Sequence, residues 1–285
     1  MKYIVLMVKG FIMGIANIIP GVSGGTIALI LGIYEELVNR VSHLFENLID
    51  NIKYIIPIAI GMGISLLVMS GVINYSYENF PLPTMMFFVG LVVGGIPMLY
   101  GNIKGKKESK NKSNYLIFLI TFGMVILLSL SNVLFNMSSV VDLNNLSLGG
   151  YLLLFLVGII AAGTMVIPGI SGSLVLMLLG YYYPIISKIN ELKSFENLGS
   201  NILILGVFGV GVLFGIVIIA KLLEMLFKKH TVKTYFGVLG FVTASIIAIP
   251  IASTVGDIVI DMPLAVVSLV MMFIGSVISF KLGEK

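Results

Sequence analysis

Apolar residues in this chain occur in long runs that short polar segments separate. Ten runs of roughly 16–25 residues each are long enough for membrane-embedded helices. In the first half they cover about 3–19, 22–38, 54–74, 84–101 and 115–135, and in the second half about 150–167, 170–187, 201–227, 234–252 and 263–281. The strands of a membrane barrel would be shorter and would alternate in polarity. The pattern therefore predicts an all-α polytopic membrane protein.

Composition supports this class and excludes several kinds of site. The mean hydropathy is +1.11, and charged residues make up 11% of the chain, well below the roughly 25% of a soluble domain. No cysteine is present, which excludes disulfides and thiolate metal ligands. His43 and His230 lie in or near charged loops, and no metal-binding motif occurs, so we expect no metal. The first run lacks a small-residue cleavage site, so we expect it to belong to the mature fold.

A glycine-rich turn interrupts the apolar pattern twice. PGVSGGT spans Pro20–Thr26, and PGISGS spans Pro168–Ser173, 148 positions later. With the same shift, further pairs coincide: Gly32 with Gly180, Tyr34 with Tyr182, Gly61 with Gly209 and Gly63 with Gly211. Residues 90–92 resemble 240–242 with a shift of 150. The chain is therefore predicted to contain two repeats in one membrane domain, 1–140 and 141–285.

The distribution of charge predicts the topology. Loops 102–112 and 228–233 are rich in lysine, whereas 75–83, 136–149 and 253–262 contain no lysine or arginine. By the positive-inside rule, both termini are expected in the cytoplasm. Each half has five runs, an odd number, so the second half is predicted to be inverted relative to the first. Inverted repeats are typical of secondary transporters, whose sites lie at the repeat interface near mid-membrane.

The first two runs of each half are short, and only a glycine-rich turn joins them. We expect the second run to continue as one helix for 13–17 residues after the turn, or about 20–25 Å. A hydrocarbon core is about 30 Å thick. We therefore predict two re-entrant helical hairpins, one from each side, whose tips meet near the membrane centre.

The turns have the composition of an anion site. Proline ends a helix, Ser23 is a natural N-cap, and the first N–H groups of the next helix carry a partial positive charge. Such helix ends suit phosphate. The candidate binding residues are Ser23, Gly24, Gly25 and Thr26 of the first turn, Ser171, Gly172 and Ser173 of the second, and Asn17 and Lys9 as supporting residues. The alternative is that the small residues only allow close helix packing.

Charged residues outside the turns have simpler interpretations. Lys9 reaches either a bound anion or the cytoplasmic headgroups. Glu35 and Glu36 are expected to be solvated, and Lys221 is expected to pair with Glu224, three positions later on the same face. No charged residue falls clearly at mid-membrane, which weakens a proton relay through a buried carboxylate.

The segment KGFIMGIANIIPGVSGGTIALILGIYE, Lys9–Glu35, resembles the start of the bacterial polyprenyl-phosphate transporter family. IPGISGS, Ile167–Ser173, followed by Leu178-Leu179-Gly180-Tyr181, resembles its second signature. The resemblance covers essentially the whole chain. It implies a flippase that returns undecaprenyl phosphate from the outer to the inner leaflet of the bacterial plasma membrane for cell-envelope synthesis. Many family members carry an acidic residue where this chain has Asn17. The chain departs from the family pattern there, which bears on whether an ion is coupled to transport.

Other functions remain open at this point. Undecaprenyl-pyrophosphate phosphatases have a similar Pro-Gly-x-Ser turn followed by arginine, but here Gly24 and Gly172 stand at that position. An enzyme would also need an acid–base group, and the runs before the two turns contain no Asp or Glu. An ion-coupled carrier of small anions and a scaffold protein are the other classes. We expect membrane lipids and no nucleic acid as partners, and no cofactor. A coupling ion, Na⁺ or H⁺, and a homo-oligomer are left open.

Overall fold

The computed structural model describes residues 2–18, 23–135, 141–144, 146–193, 197–252 and 261–283. Helices and no strands form in this part of the chain. The first half contains α1 Lys2–Ile18, α2 Gly24–Ile30, α3 Tyr34–Ser42, α4 Leu48–Asn79, α5 Pro81–Gly101 and α6 Lys112–Phe135, with a short 3-10 helix at Lys107–Lys110. The second half contains α7 Leu148–Val166, α8 Gly172–Leu178, α9 Tyr182–Lys193, α10 Leu198–Lys229, α11 Thr231–Ala252 and α12 Met262–Gly283.

The prediction of one continuous helix after each turn is wrong. α2 and α8 have seven residues each, and they end before Gly32 and Gly180, whose φ angles are +66° and +77°. Glycine adopts this left-handed conformation without strain and commonly ends helices. The next N–H, that of Ile33, donates to the Ala28 carbonyl at 3.0 Å, which completes the usual helix-ending pattern. The second apolar run of each half therefore forms two helices, α2 and α3 in the first half and α8 and α9 in the second. Of these, α2 is only about 10 Å long.

The two halves have the same order of elements. A helix of 17 or 19 residues precedes a seven-residue helix, and the fourth helix of each half, α4 or α10, has 32 residues. α1 packs along α4 as α7 packs along α10, whereas α5 pairs with α12 and α6 with α11 across the halves. The predicted repeat boundary at 140 falls between α6 and α7, at residues that the structure does not describe.

Close helix contacts correct the register of the repeat. A Cβ on Gly61 of α4 would overlap the Met7 carbonyl of α1, and one on Gly211 of α10 would overlap the Phe155 carbonyl of α7. Met7 and Phe155 are 148 positions apart, but the two glycines are 150 apart. The predicted pairing of Gly61 with Gly209 is therefore wrong by two residues, because α9 has 12 residues where α3 has 9, and the connection that follows α9 is one residue shorter than the one that follows α3.

The core surrounds the shortest helix of the first half. All seven residues of α2 are buried, and among the long apolar helices α5 and α11 are the most enclosed. Seven described helices are long and apolar enough to cross a membrane: α4, α5, α6, α7, α10, α11 and α12. Those at the periphery expose many large apolar side chains, as expected for surfaces that face lipid.

Candidate functional site

The first glycine-rich turn is held by an amide. α1 ends at Ile18 and α2 begins at Gly24, and Pro20 and Gly21 lie outside the described residues. The backbone N–H of Gly24 donates to Asn17 Oδ1 at 2.9 Å. Asn17 therefore satisfies one of the free N–H groups at the start of α2, a group that we had assigned to a bound anion.

Ser23 takes the predicted N-cap position but does not act as a cap. Its backbone is extended, at φ −101° and ψ 127°, and its side chain makes no capping bond. The hydroxyl is buried and finds no partner among the described residues, while the residue is 5% exposed. A buried hydroxyl without a partner costs about 1–3 kcal/mol. Ser23 therefore has hydrogen-bonding capacity that none of the described residues uses.

The second turn is held mainly by packing. Gly169 has a φ angle of +86°, and a Cβ there would lie 2.5 Å from the Phe241 carbonyl group of α11. Ser171 and Ser173 share a hydrogen bond between their hydroxyls at 2.9 Å. A Cβ on Gly172 would overlap the Met165 side chain, which occupies the position equivalent to Asn17. A thioether thus stands where the first turn has a capping amide.

The two turns meet, as the sequence predicts. The backbone N–H of Gly169 donates to Thr26 Oγ1 at 2.8 Å, and both residues are buried. A Cβ on Gly25 would lie 3.0 Å from the Val166 carbonyl oxygen at the end of α7. The same oxygen accepts a hydrogen bond from the Tyr34 hydroxyl at 3.0 Å. Six of the nine candidate residues form this contact or lie beside it, within the two turns or bonded to them: Asn17, Ser23, Gly24, Gly25, Thr26 and Ser171.

Lys9 does not join the turns. Its ammonium donates to the Leu31 carbonyl at 2.7 Å, at the C-terminal end of α2. α2 separates this bond from Ser23 by about 10 Å. A cation at a helix C-terminus satisfies a free carbonyl and opposes the negative end of the helix dipole. Lys9 is therefore a positioning residue for α2 rather than a member of the same cluster as Ser23.

Little empty space lies beside the second turn. A cavity of about 10 Å³ lies beside Gly169 and Ser171, enough for about one water molecule. Ser129 of α6 also lines it, and its buried hydroxyl has no partner among the described residues. A phosphate is larger than a water molecule, so it does not fit this cavity. The helices behind them are seven residues long, which limits the dipole contribution.

A polar cluster that the sequence analysis missed joins the halves. The Glu224 carboxylate of α10 accepts hydrogen bonds from Ser42 Oγ and from Asn39 Nδ2, both of α3, the latter at 3.1 Å. His43 Nδ1 lies 3.3 Å from the same carboxylate, and Lys228 also pairs with it. The predicted pairing with Lys221 is therefore wrong. The four-residue spacing of Glu224 and Lys228 is the signal that would have indicated their pairing.

The predicted solvation of Glu35 and Glu36 is confirmed, because both residues are exposed, and both also have polar partners. Glu35 accepts a hydrogen bond from the Tyr235 hydroxyl of α11, and Glu36 pairs with Arg40 at 2.7 Å. Sequence offers no signal for the first contact because its partners are 200 positions apart. α3 is thus fastened to both α10 and α11 by polar side chains.

Comparison with known proteins identifies the family of the chain. A family model described as undecaprenyl phosphate translocase-like matches residues 13–262. A curated relative from Staphylococcus aureus, named polyprenyl-phosphate transporter, is 32% identical over 280 residues, which is 98% of this chain and 95% of the relative. One from Vibrio cholerae with the same name is 28% identical over 249 residues, 81% of this chain and 72% of the relative. No solved structure matches. The spanning helices and these relatives make the chain a multi-pass membrane protein.

Proposed function

Because the chain belongs to the undecaprenyl phosphate translocase-like family, we propose that it is a flippase for polyprenyl phosphate in the bacterial plasma membrane. Its substrate is undecaprenyl phosphate, which it returns from the outer to the inner leaflet so that the carrier can be reused in cell-envelope synthesis. Relatives named polyprenyl-phosphate transporter support this substrate class.

The observation that carries the proposal is the contact between the two glycine-rich turns. Thr26 Oγ1 and the Gly169 N–H join them directly, and the Ser23 hydroxyl beside this bond is buried without a partner among the described residues. A phosphate needs several hydrogen-bond donors when it leaves water. Hydroxyls and N–H groups at the turns can supply them once the turns separate.

The repeated order of helices supports alternating access. In each half, three shorter helices, α1–α3 or α7–α9, precede three long ones. We propose that each set of three shorter helices is a re-entrant hairpin with its tip at the contact. Three membrane crossings in each half place the start of the second half on the opposite side of the membrane from the start of the first. The second half is therefore inverted, and both termini lie in the cytoplasm. The hairpins then enter from opposite sides, and their tips meet near mid-membrane, where a headgroup can be received from either leaflet.

The separated turns would hold the phosphate through two groups of residues. Ser23 and Thr26 offer hydroxyls, with Gly24 and Gly25 beside them, and Ser171, Gly172 and Ser173 form the opposing side. Asn17 would release the Gly24 N–H when the phosphate arrives. The isoprenoid chain stays in hydrocarbon, so binding requires only the headgroup to cross the protein.

The test measures headgroup flipping. Purified protein enters liposomes that contain undecaprenyl phosphate, and a membrane-impermeant phosphatase outside removes phosphate from the outer leaflet alone. If the phosphatase removes phosphate from more undecaprenyl phosphate than the outer leaflet held at the start, lipid has flipped from the inner leaflet. The Gly24→Leu variant, whose side chain would displace Asn17, is expected to be at least about tenfold slower, a barrier increase of about 1.4 kcal/mol.

Gly63→Leu is the matched control because a Cβ there meets nothing within 4 Å. Gradients of Na⁺ and of pH, imposed in separate samples, identify the coupling ion. Normal flipping by a well-folded Gly24→Leu variant would overturn the proposed site. If the wild type produced no exchange under any gradient, the proposed flippase activity would be wrong, and a carrier of small anions would become the better hypothesis.

A further inference from the structure

An apolar groove of about 340 Å³ follows α11 on the side of the second turn. α10 forms one wall with Ile219, Leu222 and Leu226, and Ile117 of α6 lies across from them. Gly237 of α11 forms part of the floor, where the absence of a side chain leaves space. Nearly all of the lining is apolar, as for a site that holds hydrocarbon.

The two ends of the groove differ in character. The inner end lies at Pro168 and Phe241, where the second turn packs against the backbone of α11. The outer end lies at His230 and Lys233, between the end of α10 and the first turn of α11. Lys233 and Phe241 are eight residues apart on one helix, or about 12 Å. The groove therefore leads from a basic rim to the contact between the turns.

The basic rim lacks an internal counter-charge. Lys233 is exposed, and within the described ranges no carboxylate forms an ion pair with it. A second apolar groove, between α7 and α10, has about 780 Å³ and no charged residue in its lining. A positive charge at the mouth of an apolar groove is complementary to a lipid with an anionic head and an apolar chain.

We propose that this groove binds a polyprenyl monophosphate, with its phosphate at Lys233 and the isoprene units nearest the phosphate between α10, α11 and α6, while the rest of the chain lies in the lipid. The inference rests on the proposed function and adds to it a second lipid position, outside the turns. The groove is a single channel between three helices, which suits one chain rather than the two chains of a phospholipid. Lipid held here has its chain directed toward the second turn, on the route between the bulk leaflet and the central site.

The test measures equilibrium binding of radiolabelled undecaprenyl phosphate to the full chain in nanodiscs of neutral phospholipid. Leu222→Trp narrows the groove at a side chain that is 43% exposed, so the fold should tolerate it. Leu213→Trp is the matched control on the same helix, 65% exposed and outside the groove lining. We expect Leu222→Trp to raise Kd about tenfold and the control to leave it unchanged.

The charge at the rim is tested separately. Lys233→Gln should raise Kd about fivefold, Lys233→Arg should restore it, and Lys229→Gln, outside the lining, should have no effect. Undecaprenol, which lacks the phosphate, should compete poorly in every sample. Equal competition by phosphatidylglycerol would show a general site for anionic lipid and would overturn the assignment.

The outcome for the groove is distinguishable from that for the flippase. If wild-type protein flips the lipid and Gly24→Leu does not, but Leu222→Trp and Lys233→Gln bind and flip as the wild type does, the groove proposal is wrong and the proposed function stands. If the wild type neither binds nor flips undecaprenyl phosphate, both proposals are wrong. Slower flipping by the groove variants, with the same loss as in binding, supports both.

Discussion

The two glycine-rich turns stand on the same framework but are held in different ways. The helices around them repeat in order and in pairing. The first turn and the helix α2 that follows it are fixed by three polar side chains, and the residues 148 positions later are apolar: Lys9, Asn17 and Thr26 are replaced by Val157, Met165 and Leu174. The framework is therefore repeated, and the polar contacts are not.

This difference separates the features of the repeat that helix packing requires from those that can differ between the halves. Glycines at helix contacts recur because two backbones approach equally closely in both halves. Side chains that fix a turn are free to differ, since each turn needs only one stable arrangement. The second turn is held by packing, by one hydroxyl pair and by the bond from Gly169 to Thr26, and no side chain of its own caps it, so we expect it to be the more easily displaced of the two.

The largest expected effect tests the framework. Gly61→Leu and Gly211→Leu each push a side chain into the backbone of the partner helix, so both should destabilise the fold by about 3 kcal/mol. Thermal unfolding in detergent, followed by size-exclusion chromatography, measures the loss. Gly63→Leu and Gly209→Leu are the controls, since a Cβ at either meets nothing within 4 Å. Equal damage from Gly209→Leu would restore the register of 148.

The next effect separates the two turns. Asn17→Ala leaves the Gly24 N–H without its acceptor and should cost about 1–2 kcal/mol, whereas Asn17→Asp keeps an acceptor and most of the stability. Met165→Ala, at the equivalent position, removes a side chain that is 52% exposed and should cost less than about 1 kcal/mol. Melting temperatures of the three variants provide the measurement. Losses of equal size at both positions would remove the asymmetry.

A smaller effect concerns the bond between the turns. Thr26→Val removes the acceptor of the Gly169 N–H, and Thr26→Ser keeps it. We expect the valine variant to lose about 1 kcal/mol and the Gly169 amide to exchange its hydrogen about fivefold faster. Hydrogen–deuterium exchange on the peptide that contains Gly169 reports this directly. Unchanged exchange in the valine variant would mean that packing alone holds the turns together.

Much of the helical architecture is predictable from sequence because apolar runs indicate which segments lie in the membrane. The runs predicted the long helices. The matched turns predicted that the two turns come together, but not which residues join them, Thr26 and Gly169. The division of each second run at Gly32 and Gly180 was missed, although both glycines had been identified as a repeated pair. Apolar residues continue across these glycines, so hydropathy does not change where the helix ends.

The contacts of the polar side chains were less predictable than the helices. Asn17, seven positions before its partner Gly24, can cap α2 only because the turn folds back. Lys9 reaches Leu31 for the same reason. Glu224 binds residues of α3 that lie more than 180 positions away, and no local pattern indicates which helix it faces. Short-range spacing finds ion pairs within a helix, but not contacts that depend on how helices are arranged.

The smallest expected effect compares α3 with α9, the third helix of each half. Arg40 of α3 and Lys188 of α9 are equivalent, and each binds a nearby carboxylate, Glu36 or Glu191. A hydrogen bond from Lys188, with a second from Asn201, lowers the pKa of Glu191 below its ordinary value of 4.5. A carboxyl group whose pKa is lowered by folding adds stability above its unfolded pKa and loses it as the pH falls through the folded value.

Glu191→Gln should therefore lower the melting temperature at pH 7 by less than Thr26→Val does, and the difference from the wild type should shrink as the pH falls below 4.5. Melting curves at a series of pH values between 7 and 3 measure it, with Glu36→Gln as the matched variant of the first half. The Lys188 side chain is almost fully buried, whereas the Glu36 side chain is half exposed. Solvent therefore screens the ion pair of Lys188 with Glu191 less than the ion pair of Arg40 with Glu36. A loss that is independent of pH would mean that Glu191 stabilises α9 through hydrogen bonding alone, without its charge.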